Sequence, residues 1–358
     1  MAAKLTVAVD AHGADLGPGE VAAGAALAVQ RSDAQVLLFG PLDELQRGLP
    51  DGVPPSIELR DAPVSVAKQG DPARAVRAAP QASIVQAAQA VARGEAEALV
   101  CGGSTGAAVA AGLFEIKRAK GIVRPALALP IPIPGSPVLL LDVGANVEVR
   151  AEHLVQFAHM GAAFAASVLG VSDPRVALLS NGEEPTRGTP EVLEAHARLA
   201  AGANAHGLRF VGNVEGTGLV EGAADVVVCD GFTGNVALKL MEGVSGVLIR
   251  AIRERARSSP RAALGGALLR PGLRGLRDEI DPERSGGAYL LGLRRLGVVC
   301  HGRFTRTGYA NAIEVAQRGV RENAVARTLA ALAAAGALRQ GPARLRASEP
   351  PASVPVQG

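Results

Sequence analysis

The chain has 358 residues, and its 37 Lys and Arg against 34 Asp and Glu leave a formal charge of only +3, a balance that gives no electrostatic argument for nucleic acid. Hydrophobic residues make up 48% and aromatic residues 3%, with no Trp, so a large core can form but the ring platforms on which single-stranded nucleic acid stacks are lacking. Cys101, Cys229 and Cys300 stand far apart with no CxxC pair, which suggests neither a disulfide framework nor a zinc ribbon and fits a reducing cytoplasm.

At the amino terminus the apolar run Leu5 to Val9 stops at Asp10. It is shorter than the roughly 7–15-residue core of a secretory signal and reads as a buried strand. A Gly-containing polar loop follows, then a helix over 21–30. The same unit recurs along the chain. "EALVCGGSTGA" leads into a helix over 109–120, "VLLLDVGANVE" into one over 153–169, "VALLSNGEEPTRG" into one over 191–201 and "VVVCDGFTGN" into one over 236–252. "LRFVGNVEG" and "LGVVCHGRF" are further strands ending in polar loops. The uncharged stretch 126–141 holds Pro130, Pro132, Pro134 and Pro137 and is no membrane span, which needs about 20 mostly apolar residues. Irregular spacing excludes a solenoid. The Pro-rich tail 341–358 is expected to be disordered.

Strands apolar at every position, alternating with helices, argue for an α/β protein with a mainly parallel sheet covered on both faces. Loops at the carboxyl ends of such strands gather on one edge, so the polar loops are expected to share a rim. Gly231 and Gly234 would let backbone approach a ligand closely, while Thr233 and Asn235 begin a helix with free amide N–H groups. Gly103, Ser104, Thr105 and Gly106 repeat that arrangement. A helix start with exposed amides favours an anion, most simply phosphate. For any single loop, a tight strand-to-helix turn is an equally good reading; five or more of similar chemistry weigh against it. No GxxxxGK[ST] or GxGxxG spacing indicates a nucleotide. Asn235 and Lys239 share a helix face, with a merely solvated lysine as the competing reading.

His153 and His159 lie six apart and no HExxH occurs, so no metal is expected. The three cysteines each end an apolar run and read as buried and inert. Asp10, Asp15, Asp142 and Asp230 flank strand ends, where a carboxylate would repel phosphate unless it orients donors; Asn146, in a Gly-Ala-Asn turn, is expected to touch the ligand directly.

Taken in order, "VAVDAHGADLGP", "GGSTGA", "RPALA", "LLLDVGANVEVRAEHLVQFAHMG", "FVGNVEG", "ADVVVCDGFTGNVALKLMEG" and "GGAYLLG" closely resemble the bacterial phosphate acyltransferase (PlsX) family. The resemblance runs from about Leu5 to about Thr328, and "DGFTGN" with "DVGANV" is highly specific. It implies a three-layer αβα fold of the isocitrate/isopropylmalate dehydrogenase-like kind with a mostly parallel mixed sheet. It implies one catalytic domain over 1–340, a homodimer, no cofactor, and transfer of a fatty acyl group from acyl carrier protein to inorganic phosphate. The acyl phosphate would serve phospholipid synthesis. The chain departs from the family pattern at His12 to Asp15, where Gly-Gly-Asp is usual. It departs again at Ser104 (usually Asn), at Arg187 to Thr189 (usually Lys-Gly-Asn) and at Arg303 (usually Ser). At Arg187 the charge is kept and the geometry changes, because a planar fork replaces a point charge.

Phosphate is already nucleophilic at neutral pH, so direct attack requires only a dianion held against the carbonyl and donors for the developing oxyanion. Asn235 and Thr233 with neighbouring amides are the expected donors, Arg187 and then Lys239 the neutralising cations, and His301 the acid for the departing thiolate. Gly13, Gly182 and Glu183 are placed on the phosphate rim. An acyl-CoA-using phosphotransacetylase-like enzyme and a non-catalytic carrier- or lipid-binding homologue are the alternatives.

Between Arg250 and Arg277 basic residues recur among leucines. Arg261, Arg270 and Arg274 accompany Leu264, Leu268, Leu269 and Leu273, with Pro271 and Gly272 expected to break the run into two short helices. Such a basic amphipathic hairpin suits anionic lipid or an acidic carrier protein, with a solvated arginine-rich pair as the plain alternative. With the resemblance, this implies a cytoplasmic enzyme held peripherally at the membrane beside the downstream acyl-phosphate:glycerol-3-phosphate acyltransferase.

Overall fold

The computed structural model describes residues 4–135, 137–202 and 208–339; the tail at 341–358 lies outside them. The chain opens with β1 (Thr6–Asp10), α1 (Pro18–Arg31), β2 (Gln35–Gly40), α2 (Leu42–Arg47) and β3 (Ile57–Asp61). Helices α3 (Pro72–Ala78) and α4 (Ser83–Arg93) return it to β4 (Ala98–Gly102), and α5 (Thr105–Ala111) runs on into one π-helical turn at Gly112–Ile116. A hairpin of β5 (Ala126–Ile131) and β6 (Val138–Leu141) then reverses the chain. Next come α6 (Ala151–Ser167), β7 (Arg175–Leu179), α7 (Pro190–Ala201), β8 (Arg209–Val214), α8 (Gly216–Glu221) and β9 (Val226–Val228). Two long helices, α9 (Gly231–Ala256) and α10 (Pro260–Glu279), precede α11 (Pro282–Ser285), β10 (Ala288–Leu291) and β11 (Leu296–Cys300). Helices α12 (Arg306–Arg321) and α13 (Ala324–Ala334) close the fold.

The strands among the described residues form one eleven-stranded sheet in the order β3-β2-β1-β4-β11-β10-β5-β6-β9-β7-β8. Alternation along each strand makes the three layers. Val7 and Val9 of β1 face one buried cluster while Ala8 faces the other, and Val226 and Val228 of β9 oppose Val227 in the same way. Both clusters are covered by helices, which is why these strands are apolar at every position.

The single shared rim expected for the loops is corrected by the strand directions. β1, β2, β3, β4 and β11 are mutually parallel, and β6, β9, β7 and β8 form a second parallel set. Antiparallel pairing of β11 with β10, β10 with β5 and β5 with β6 sets the two groups in opposite senses. The carboxyl ends of the two sets therefore lie at opposite edges, and loops from both can meet only across the face of the central strands.

The expected break at Pro271 is also corrected. Pro271 sits inside continuous α10, since a proline removes one N–H donor and need not end a helix whose neighbouring bonds hold. The break falls between α9 and α10, where Ser258 Oγ donates to the Arg255 carbonyl and Ser259 Oγ accepts the Ala262 N–H at 3.2 Å. No residue of α10 is buried: Leu264 and Leu268 are 66% and 76% exposed, and Leu240 and Leu248 of α9 are exposed as well.

Candidate active site

One wall of the site is built from the loops after β1, β4 and β11, and it is locked by glycines. A Cβ on Gly13 would lie 2.1 Å from the Gly102 carbonyl oxygen, and one on Gly103, whose φ is +98°, would lie 2.0 Å from that of Gly13. The Asp15 N–H donates to Gly302 O at 2.8 Å. Three adjacent loops thus behave as one rigid piece. Beneath it, Asp10 is almost fully buried and accepts the His12 N–H; burial pushes its carboxyl up to about 6.

The opposing wall is organised by Asp142. Its buried carboxylate accepts the N–H groups of Leu127, Ala145 and Asn146 at 3.0, 3.0 and 2.7 Å. Asn146 Nδ2 donates to Asp142 at 2.8 Å and to the Pro125 carbonyl at 2.7 Å, and its own carbonyl accepts the Gly231 N–H at 2.7 Å. The first turn of α9 is pressed onto this loop: a Cβ on Gly231 would lie 2.7 Å from Asn146 O, and one on Gly234 2.0 Å from Asp142 O. These glycines therefore serve contact within the protein. Asp230 caps α9, accepting the Thr233 N–H at 2.8 Å and its hydroxyl at 2.7 Å.

The walls meet at Gly144, whose φ is +124°; a Cβ there would lie 3.8 Å from Asn235 Cβ and 3.9 Å from Thr105 Cγ2. A cavity of about 730 Å³ opens from this point. Ten residues singled out in the sequence line it: Gly13, Asp15, Gly103, Ser104, Thr105, Asn235, Lys239, Cys300, His301 and Arg303. Leu127, Leu129 and Val143 give it an aliphatic floor. Ser104 is also the N-cap of α5, accepting the Ala107 N–H at 3.2 Å, and Lys239 is paired with Glu242 at 2.8 Å. His301 Nδ1 accepts the Arg303 N–H at 3.2 Å, which places the proton of the neutral ring on Nε2. Burial, and then the charge of Lys239, hold its pKa below the ordinary histidine value.

Other expected residues do not line the cavity. Asn146 has its amide donors engaged by Asp142 and Pro125, and Gly106 packs on Pro72. Gly182, Glu183 and Arg187 lie between β7 and α7, where Arg187 pairs with Glu184 at 3.5 Å. Cys300 touches the cavity but, like Cys101 and Cys229, is buried, and burial raises all three thiols above the ordinary range, which removes them as nucleophiles. Conversely, Lys68 lines the cavity from the segment between β3 and α3. No sequence motif pointed to it, because β3 carries no Gly-rich loop.

A sheet that reverses direction at its centre, covered by helices on both faces, with a cavity beside the reversal, defines a three-layer α/β fold. The structure is similar to a phosphotransacetylase from Streptococcus pyogenes (TM-score 0.60, 18% identity, 89% of this chain and 94% of that one). It is also similar to the EutD phosphotransacetylase of Staphylococcus aureus (TM-score 0.57, 18% identity, 88% and 94%). In sequence, the family described as "Fatty acid synthesis protein" matches residues 5–327. The phosphate acyltransferase of Heliobacterium modesticaldum is 42% identical over 325 residues, covering 90% of this chain and 96% of that one. The phosphate acyltransferase of Moorella thermoacetica is 42% identical over 325 residues, with 90% and 94% covered. The chain belongs to this phosphate acyltransferase family and is an acyltransferase.

Proposed function

We propose that the chain transfers a fatty acyl group from the thioester of acyl carrier protein to inorganic phosphate, releasing an acyl phosphate for phospholipid synthesis. The observation that carries this reading is the double character of one cavity: donors from both sheet halves meet at Gly144, Thr105 and Asn235, over a floor of Leu127, Leu129 and Val143. The polar end suits a phosphate dianion and a developing oxyanion, the floor an alkyl chain.

A phosphate oxygen attacks the thioester carbon, the new C–O bond forms, and the C–S bond breaks with its electron pair on sulfur. Asn235 Nδ2 and nearby amides receive the oxyanion, and His301 Nε2–H donates to the departing thiolate. Lys239, already in the cavity, neutralises phosphate by exchanging its Glu242 partner for the incoming dianion. Arg187 would have to leave Glu184 to share that role, and the Thr233 hydroxyl is engaged by Asp230. Neither a protein acyl intermediate nor a metal enters this route.

The exposed leucines of α9 and α10 are where a second copy would associate, and the α10 arginines would meet anionic lipid. There the acyl phosphate could pass to the downstream acyl-phosphate:glycerol-3-phosphate acyltransferase. Among the described residues no helix is long and apolar enough to cross a membrane, so such attachment is peripheral. The test is to mix purified protein, palmitoyl-carrier protein and phosphate, following free thiol and the acyl-phosphate signal by phosphorus NMR. Phosphate-dependent thiol release is expected. Thiol release independent of phosphate, or none, overturns the reading; turnover of palmitoyl-CoA alone replaces the carrier with a coenzyme.

A further inference from the structure

The cavity holds more than one phosphate could fill, and two of its cations stand outside any ion pair among the described residues. Lys239 is taken by Glu242. Lys68, between β3 and α3, and Arg303, between β11 and α12, both line the cavity and are exposed. Among the described residues neither side chain has an ion-pair or hydrogen-bond partner. Of the other acids lining the cavity, Asp15 lies against Gly302 without an ion pair to either cation, and the remaining two bind neutral donors. Asp281 caps α11 by accepting the Glu283 N–H at 3.0 Å, and the Glu283 carboxylate accepts the N–H and hydroxyl of Thr305 at 2.9 and 2.6 Å.

Lys68 and Arg303 also share a platform. Ser65 Oγ donates to His12 O at 2.6 Å, fixing the Lys68 segment to the loop after β1, and the Asp15–Gly302 bond fixes the Arg303 segment to the same loop. The donors that meet at Gly144, in contrast, come from the loops after β4, β6 and β9. Two cations outside any ion pair on one support, drawn from segments other than those that meet at Gly144, are the groups from which a second anion subsite would be built, a lysine supplying a point charge and an arginine a planar fork.

We infer that Lys68 and Arg303 hold the phosphodiester at the far end of a phosphopantetheine arm, while the thioester at its near end lies against the phosphate to be acylated. This inference rests on the acyl-transfer reading of the cavity. The shared chemistry is the phosphate that ends the arm, a phosphodiester on a carrier protein and one half of a diphosphate in coenzyme A.

The experiment compares palmitoyl-phosphopantetheine with palmitoyl-pantetheine, which lacks that charge, in the natural chain and in the double variant Lys68→Ala/Arg303→Ala. A charge-assisted contact is worth about tenfold or more. The natural chain should therefore show a KM lower by about tenfold to a hundredfold for the phosphorylated arm, and the variant a ratio near one with the KM for inorganic phosphate unchanged. A ratio that survives in the variant overturns the inference, as does a raised KM for inorganic phosphate, which would assign these cations to the transferred group. Palmitoyl-carrier protein and palmitoyl-CoA, run in parallel, identify the source by which of them loses affinity in the variant. Calorimetry with unacylated phosphopantetheine and pantetheine needs no turnover: equal binding overturns the subsite even in an active enzyme. Absence of acyl phosphate from every thioester removes the acyl-transfer reading and the subsite together.

Discussion

At the scale of single residues, the site separates groups that face the cavity from groups that hold those groups in place. Asn235 is exposed at the meeting point of the two walls, so Asn235→Ala should leave the fold intact. It should lower kcat by about 10²–10³-fold, the usual effect of removing one oxyanion donor; an unchanged kcat with a raised phosphate KM would make it a ground-state contact only. Cys229 donates to Asp142 O at 3.6 Å from a buried position, and Cys229→Ser should retain turnover, checked by the same thiol assay. Asp10 is a holding group with a pH signature. Its carboxyl rises from 3.8 to about 6 on folding, so the native state binds the extra proton between these values and stability falls as pH rises through them. The penalty at neutral pH is about 3 kcal/mol at most. Asp10→Asn should accordingly be more stable than the natural chain at pH 7 and close to it near pH 4, read by denaturant unfolding at both pH values; a constant difference at the two pH values would show that Asp10 does not titrate in this range.

Secondary-structure elements divide by how much of their position is local. The units starting at β1, β6, β7 and β9 were legible because a buried strand, a polar loop and a helix follow one another directly, and α6, α7 and α9 begin within about five residues of where the periodicity places them. The second strand, β2, and the short antiparallel β10 were not read as strands. Their pairing is set by distant neighbours, β1 in one case and β5 with β11 in the other. The amphipathic stretch was legible in composition and wrong in its break point, since Pro271 disfavours a helix locally but α10 carries through it, while capping by Ser259 fixes the actual turn. The corrected geometry puts Arg261, Arg270 and Arg274 on one exposed helix. Charge reversal, Arg270→Glu with Arg274→Glu, should release the protein from vesicles rich in anionic lipid without changing its circular dichroism, because surface cations each contribute about 1 kcal/mol to such binding. Undiminished cosedimentation would remove α10 from membrane contact.

For the molecule as a whole, the decisive feature is the reversal of strand direction between β5 and β6. Apolar runs carry no direction, so the sequence could announce a buried sheet and polar loops but not that two loop sets approach from opposite edges. Thr105, Asn235, Lys239 and His301 line one cavity, while Arg187 lies outside it with Glu184, although its strand β7 is the parallel neighbour of β9. The division predicts where phosphate binding energy enters the fold. A ligand held between loops of both halves stabilises the native state by mass action, about 2.7 kcal/mol at one hundred times its dissociation constant, which in a chain of this size is a rise of a few degrees in Tm. Thermal unfolding with and without saturating phosphate should give that rise in the natural chain, keep it in Arg187→Ala and lose it in Lys239→Ala. The opposite pattern, loss with Arg187→Ala and retention with Lys239→Ala, would move the phosphate to the segment between β7 and α7 and leave the cavity at Gly144 to the thioester alone.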